Sequence, residues 1–126
     1  MDYKDQFLWN RSVEVVVICD RAIDEFNFEP GNFTLASEIK RLSTRIPVLL
    51  AEDWNETGDP NQNLLTIDSV LKLIRSLETH LILAKRLKLG EIKVIDNALK
   101  QVNQLRETSL ATKEAFSMSS SKIAGK

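Results

Sequence analysis

The chain contains almost no cysteine or histidine, the residues that build most redox and transition-metal centres. Its 126 residues include one cysteine, Cys19, and one histidine, His80. A single cysteine excludes a disulfide or a thiolate metal cluster within one chain. A metal site that used His80 would need carboxylates or a second copy of the chain. We therefore expect neither a metal nor a cofactor.

Long apolar runs and catalytic motifs are missing as well. No run approaches the roughly 20 apolar residues of a membrane-spanning helix, and the first residues, Met1–Asp5, are charged and not apolar. The sequence contains no paired catalytic carboxylates, no glycine-rich phosphate loop and no catalytic triad. These absences predict a cytoplasmic protein that has no membrane partner and is not an enzyme.

What the sequence does contain is helical periodicity. Apolar residues recur at spacings of three and four in four segments, as on one face of an α-helix. The core face of the first segment consists of Leu8, Ser12, Val15, Cys19, Ala22 and Phe26. The predicted helices are about Lys4–Phe26, Thr34–Trp54, Gln62–Leu89 and Glu91–Phe116. The β-branched run Val13–Ile18 resembles a strand, but helical spacing continues on both sides of it.

The link between the last two helices is short, which makes them antiparallel neighbours. We predict an all-α, antiparallel up-down-up-down four-helix bundle over residues 1–116, followed by a flexible, serine-rich tail over residues 117–126. Pro47 should kink the second helix because it cannot donate to the carbonyl of Ser43. Gly90 should end the third helix in a left-handed conformation.

The first and third helices each carry a second apolar stripe beside their core face. A chain of this size cannot cover a helix on all sides, and monomers rarely expose continuous apolar stripes. The second stripes therefore predict a homo-oligomer. The expected interface residues are Trp9, Val13, Val17, Leu73, His80, Leu83 and Leu87.

Basic side chains gather where the third helix turns into the fourth. They are Lys85, Arg86, Lys88 and Lys93. Cations are favourable at the C-terminus of a helix, which is a sufficient structural explanation for most of them. Alternatively, the cluster contacts the phosphates of a nucleic acid, and an oligomer would repeat it as a basic ring. Against this second interpretation, no aromatic residue is interleaved for base stacking.

One carboxylate falls on the core side of its predicted helix. Glu78 lies within the apolar arc of the third helix, where a charged group needs a partner. Either Lys85 or an arginine of the second helix could reach it, and the second helix also offers a further carboxylate. We predict a buried polar network of Arg41, Glu52 and Glu78 with a structural role.

Four segments resemble the bacterial four-helix-bundle family named for 23S rRNA intervening sequences. Phe33–Arg41 is similar to the family's Leu-Ala-Ser-Gln-Ile-Arg-Arg-Ala segment, and Arg45-Ile46-Pro47 and Ala51-Glu52 follow as its Ser-Ile-Pro and Ala-Glu do. Ser76–Leu87 resembles the signature of the third helix, with His80 where glutamine is usual. The resemblance covers about Phe7 to Leu110.

The resemblance implies a non-enzymatic bundle that forms a ring-like homo-oligomer, a pentamer. Related bundles include the accessory variability determinant of retroelements, which assists a reverse transcriptase and its RNA. Two functions are therefore expected. The first is a self-associating scaffold or adaptor, and the alternative is an accessory protein that contacts RNA or a reverse transcriptase through a basic ring.

Overall fold

The computed structural model describes residues 2–27 and 32–124, and its regular structure is helical throughout. A 3-10 turn at Tyr3–Asp5 precedes four α-helices. These are α1 (Phe7–Asp24), α2 (Asn32–Asp53), α3 (Pro60–Arg86) and α4 (Ile92–Ala124). No strand occurs in either described range, and the β-branched run of α1 is helical as predicted. No helix among the described residues is long and apolar enough to cross a bilayer.

Each helix packs against its neighbours in sequence, and α4 closes the arrangement by packing against α1. In the described residues the diagonal pairs, α1 with α3 and α2 with α4, make no such contact. This is the predicted four-helix bundle of up-down-up-down connectivity. It follows that α1 and α3 stand at opposite corners of the bundle.

The bundle surrounds one apolar core. All six residues of the predicted α1 core face are buried, with Cys19 and Ala22 fully enclosed. The largest completely buried apolar side chains of the other helices are Ile39, Ile46, Leu50, Ile67, Ile74, Leu77, Leu81, Ile95 and Leu105. Pro47 lies within α2, and the helix continues on both sides of it. The kink remains a prediction.

The connection between α2 and α3 is held by a buried asparagine. Asn63 is only 1% exposed. Its side-chain amide forms hydrogen bonds with both the N–H and the carbonyl group of Asn55. Its Nδ2 donates to the Asn55 carbonyl at 2.5 Å, and its Oδ1 accepts from the Asn55 N–H at 3.2 Å. Asp59 caps α3 by accepting from the N–H of Asn61, and Pro60 occupies the first helical position. The loop therefore enters α3 in a defined conformation.

The end of α3 differs from the prediction because Lys88, not Gly90, adopts the left-handed conformation. Lys88 has a φ of 57°, and no described glycine has a positive φ. The N–H of Leu89 donates to the carbonyl of Ala84, and that of Lys88 to Lys85, which is the Schellman pattern. Gly90 serves close packing instead. A Cβ there would lie 3.0 Å from Cδ1 of Phe26.

We expect Lys88→Gly to raise the free energy of unfolding by about 1 kcal/mol. A lysine in the left-handed region brings its Cβ against the backbone, and glycine does not incur this penalty. Urea denaturation followed by circular dichroism measures the change. Lys88→Ala is the control, because it removes the same charge but keeps the Cβ. An equal gain in both variants would assign the effect to charge and contradict the backbone explanation.

The second difference concerns the end of α4. The helix extends to Ala124 and does not end near Phe116, so residues 117–124 are helical where a tail was expected. Residues 125 and 126 lie outside the described range. The ring of Phe116 packs edge-on against the buried Trp54, with centroids 5.0 Å apart. This aromatic contact joins α4 at Phe116 to the residue that follows α2.

Candidate functional site

An apolar groove runs between the start of α2 and the end of α3, which we call the α2–α3 groove. Its lining residues are Thr34, Leu35, Glu38, His80, Leu83, Leu87 and Leu89. Leu83 is 43% exposed and Leu87 is 62% exposed, although both are leucines on a packed helix. The groove brings together three of the predicted interface residues, namely His80, Leu83 and Leu87. The fourth residue from α3, Leu73, is half-buried and packs against the core.

His80 is held at the wall of this groove by its own helix. Its Nδ1 lies 2.7 Å from the carbonyl oxygen of Ser76. Because a carbonyl oxygen only accepts, Nδ1 carries the proton in this contact. The His80 residue is half-buried in the single chain.

Two more of the predicted interface residues lie on a second surface, the α1–α4 groove. Val13 and Val17 line it together with Ile18, and polar residues of both helices form its rim. Those rim residues are Arg11, Glu14, Gln101 and Gln104. The Arg11 guanidinium donates to Gln104 Oε1 at 2.8 Å and pairs with Glu14 at 3.1 Å. Val17 is 47% exposed despite these neighbours.

Trp9 is partly covered within the chain itself. Its ring contacts the ring of Tyr3 edge-on at 5.3 Å, and it also packs against the core. The 3-10 turn therefore shields part of a side chain that was assigned entirely to the interface. This contact could not be predicted from helical periodicity, because Tyr3 precedes the first helix.

Five of the predicted interface residues thus line two separate grooves, Val13 and Val17 the first and His80, Leu83 and Leu87 the second. The α1–α4 and α2–α3 grooves are on opposite sides of the bundle, since the helices pack in the cyclic order α1, α2, α3, α4. A single neighbouring molecule of ordinary shape could not cover both. Each surface must be considered separately.

The basic cluster lies at the α3–α4 turn, as predicted, but its charge is partly neutralised. Lys85 Nζ pairs with Asp96 Oδ1 at 2.7 Å. Arg86, Lys88 and Lys93 are exposed around it. Three cations of the predicted four therefore face solvent without an ion pair to a described carboxylate.

The predicted network of Arg41, Glu52 and Glu78 is wrong. Arg41 pairs with Glu38 at 2.9 Å on the outer side of α2, where its guanidinium lowers the pKa of the Glu38 carboxyl. Glu52 lies 3.7 Å from Arg45, also on the surface.

Glu78 instead binds a residue of the fourth helix. Its Oε2 accepts from both terminal nitrogens of Arg106, and both side chains are about one quarter exposed. Glu78 meets Arg106 because it lies on the flank of α3 that faces α4, whereas Arg41 and Glu52 belong to α2. Periodicity along one helix gives the burial of a side chain but not which neighbour it meets.

The chemistry available for catalysis is limited in the described residues. No group of three or more histidine, cysteine, aspartate or glutamate side chains converges there to hold a metal. Cys19 is fully buried, and this burial raises its pKa from 9.0 to about 12. Its thiolate, which is the reactive form, is therefore strongly disfavoured.

A second basic surface was missed from the sequence, and we call it the α3–α4 cleft. It is lined by Asp68, Leu71, Lys72, Arg75, Arg106, Leu110 and Lys113. The available signal was the spacing of its cations, one turn apart in α3 and two turns apart in α4. The sequence does not show that these two pairs of cations form one surface, because they are far apart along the chain and meet only when α3 and α4 pack together.

The chain was compared with known protein families and with curated proteins, and neither comparison found a match. The two grooves, the basic turn and the α3–α4 cleft are therefore the features from which a function can be proposed.

Proposed function

We propose that this protein is a non-catalytic scaffold or adaptor that assembles with copies of itself. The observation that carries the proposal is the exposure of Leu83 and Leu87 in the α2–α3 groove, beside the half-buried His80. Removing a leucine side chain from water contributes on the order of 2 kcal/mol. Two such residues in one concave site form a natural centre for an interface.

The position of the second groove supports a particular mode of assembly. The two grooves lie on opposite sides of the bundle. The α1–α4 groove of one copy can therefore face the α2–α3 groove of the next copy. Such a contact is heterologous, and it closes into a ring when the rotation between copies divides a full turn. The resemblance to the 23S rRNA intervening-sequence proteins supports five subunits.

The molar mass in solution tests this proposal. Five chains of 14.3 kDa give a particle of about 72 kDa. Multi-angle light scattering on the eluting peak, at micromolar concentration, distinguishes that particle from smaller species. A single species near 14.3 kDa would refute self-association.

The exposure of Arg86, Lys88 and Lys93 favours a second candidate function. These cations would contact RNA phosphates, and a ring would bring several copies of the cluster together. In this case the protein would be an accessory factor that binds RNA or an RNA-dependent enzyme.

If the second function is correct, affinity for a generic single-stranded RNA should fall about tenfold or more between 50 and 200 mM salt, because bound cations release counterions. Arg86→Glu combined with Lys88→Glu should abolish binding in a fluorescence anisotropy titration. Glu91→Gln, at the same turn, is the control and should not weaken it. Binding that is unaffected by salt or by the charge reversal would exclude this cluster as the RNA site.

A further inference from the structure

Ion pairs within the chain neutralise only some of the charged side chains that line the α3–α4 cleft. Lys113 Nζ pairs with Asp68 Oδ1 at 2.7 Å, and Arg106 binds Glu78. Lys72 and Arg75 are exposed and form no ion pair with any described carboxylate. Both α4 cations are therefore paired across the cleft with carboxylates of α3, whereas Lys72 and Arg75, about one helical turn apart on α3, are left without such a pair.

The floor of the cleft is apolar. Leu71 is half-buried, and Leu110 from the opposite helix is 48% exposed. Both leucines line the cleft together with the cations of α3 and α4. From Arg106 to Lys113 the cleft extends along about 10 Å of helix, since each residue adds 1.5 Å. It therefore matches roughly two turns of a helix laid into it.

We propose that the α3–α4 cleft binds an acidic, amphipathic helical segment of a partner protein. A leucine on such a segment would pack against Leu71 and Leu110, and glutamates beside it would pair with Lys72 and Arg75. This is the helix-in-groove mode, in which apolar anchors provide affinity and flanking charges determine orientation.

The lining of the cleft favours an acidic helix over RNA. No aromatic side chain lines it, so nucleotide bases would find no stacking surface. Two of its four cations are also already paired with carboxylates, so only Lys72 and Arg75 remain to contact a phosphate backbone. An acidic helix needs only the two unpaired cations and gains from the leucine floor.

The site goes beyond self-association and does not depend on it. It lies on the α4 flank of α3, whereas His80, Leu83 and Leu87 line a groove on the α2 flank. An assembly built through the α2–α3 and α1–α4 grooves leaves this cleft open on every subunit. A ring would then display several identical sites, which increases the avidity for a partner with repeated segments.

Fluorescence anisotropy with a synthetic helix tests the proposal. The probe is a labelled peptide of about 14 residues made of Glu, Leu and Ala, with leucines at positions i, i+4 and i+7 and glutamates on both sides. We expect saturable binding to the full-length protein that weakens at least tenfold in Lys72→Glu with Arg75→Glu. Lys100→Glu, on an exposed position of α4 outside the cleft, should change affinity less than twofold.

Two further measurements separate the alternatives. Light scattering of the double variant should give the same mass as the parent protein, so a loss of peptide binding is not a loss of assembly. A probe with serine in place of leucine should bind at least tenfold more weakly than the original. Absence of saturable binding by the leucine probe would overturn the proposal. Charge-reversal-sensitive binding of an oligouridine RNA without binding of the peptide would also overturn it, and would assign the cleft to nucleic acid.

Discussion

Leu83→Asp is expected to convert the assembly into a species of 14.3 kDa. The substitution places a carboxylate at the centre of the α2–α3 groove, beside Leu87 and His80. Burying an unpaired charge against leucines costs several kcal/mol, which exceeds what the remaining contacts of one interface can offset. In a ring every interface contains one copy of the substitution, so all contacts weaken together. Light scattering and sedimentation velocity measure the change in mass.

Leu110→Asp is the matched control for this experiment. Leu110 is 48% exposed and Leu83 is 43% exposed, so the same substitution removes a comparable side chain from a comparable environment. Leu110 lies in the α3–α4 cleft, outside both grooves, and its variant should retain the mass of the parent. Because both positions face solvent in the single chain, neither substitution should unfold the bundle. Equal masses for Leu83→Asp and the parent would contradict an interface at this groove.

Helical periodicity predicts the core residues well because burial depends on the side of the helix on which a residue lies, and that side repeats with each turn. Each turn of a helix returns a side chain to the same face, so Leu8, Val15 and Cys19 are identified from spacing alone. The bundle connectivity follows for a similar reason, since short links force sequential helices to lie side by side. These features need no knowledge of which helix lies opposite which.

The wrong predictions concern features that depend on contacts between helices or on which residue at a helix end adopts the left-handed conformation. Glu78 was recognised as needing a partner, but the partner depends on which helix faces its flank of α3. At the α3–α4 turn, glycine was expected in the left-handed position. Gly90 instead lies where the chain passes close to Phe26, and Lys88 adopts the left-handed conformation.

Asn63→Asp is expected to lower the free energy of unfolding by about 3 kcal/mol at pH 7. The substitution keeps the shape of the side chain but removes the N–H donor that binds the Asn55 carbonyl, so two acceptors face each other. It also places a charge at a position that is 1% exposed, close to an acidic loop that contains Glu56 and Asp59. Denaturation in urea, followed by circular dichroism, measures the loss.

The pH dependence of this loss identifies its cause. Burial and the nearby carboxylates raise the pKa of the introduced carboxyl above that in the unfolded chain. The variant should therefore be destabilised most above that raised pKa and recover about half of the loss near pH 4, where the protonated carboxyl again donates to Asn55. Asn97→Asp, on an exposed position of α4, should change stability by less than about 0.5 kcal/mol at either pH. A loss for Asn63→Asp that is equal at both pH values, relative to the parent, would show that charge burial does not cause it.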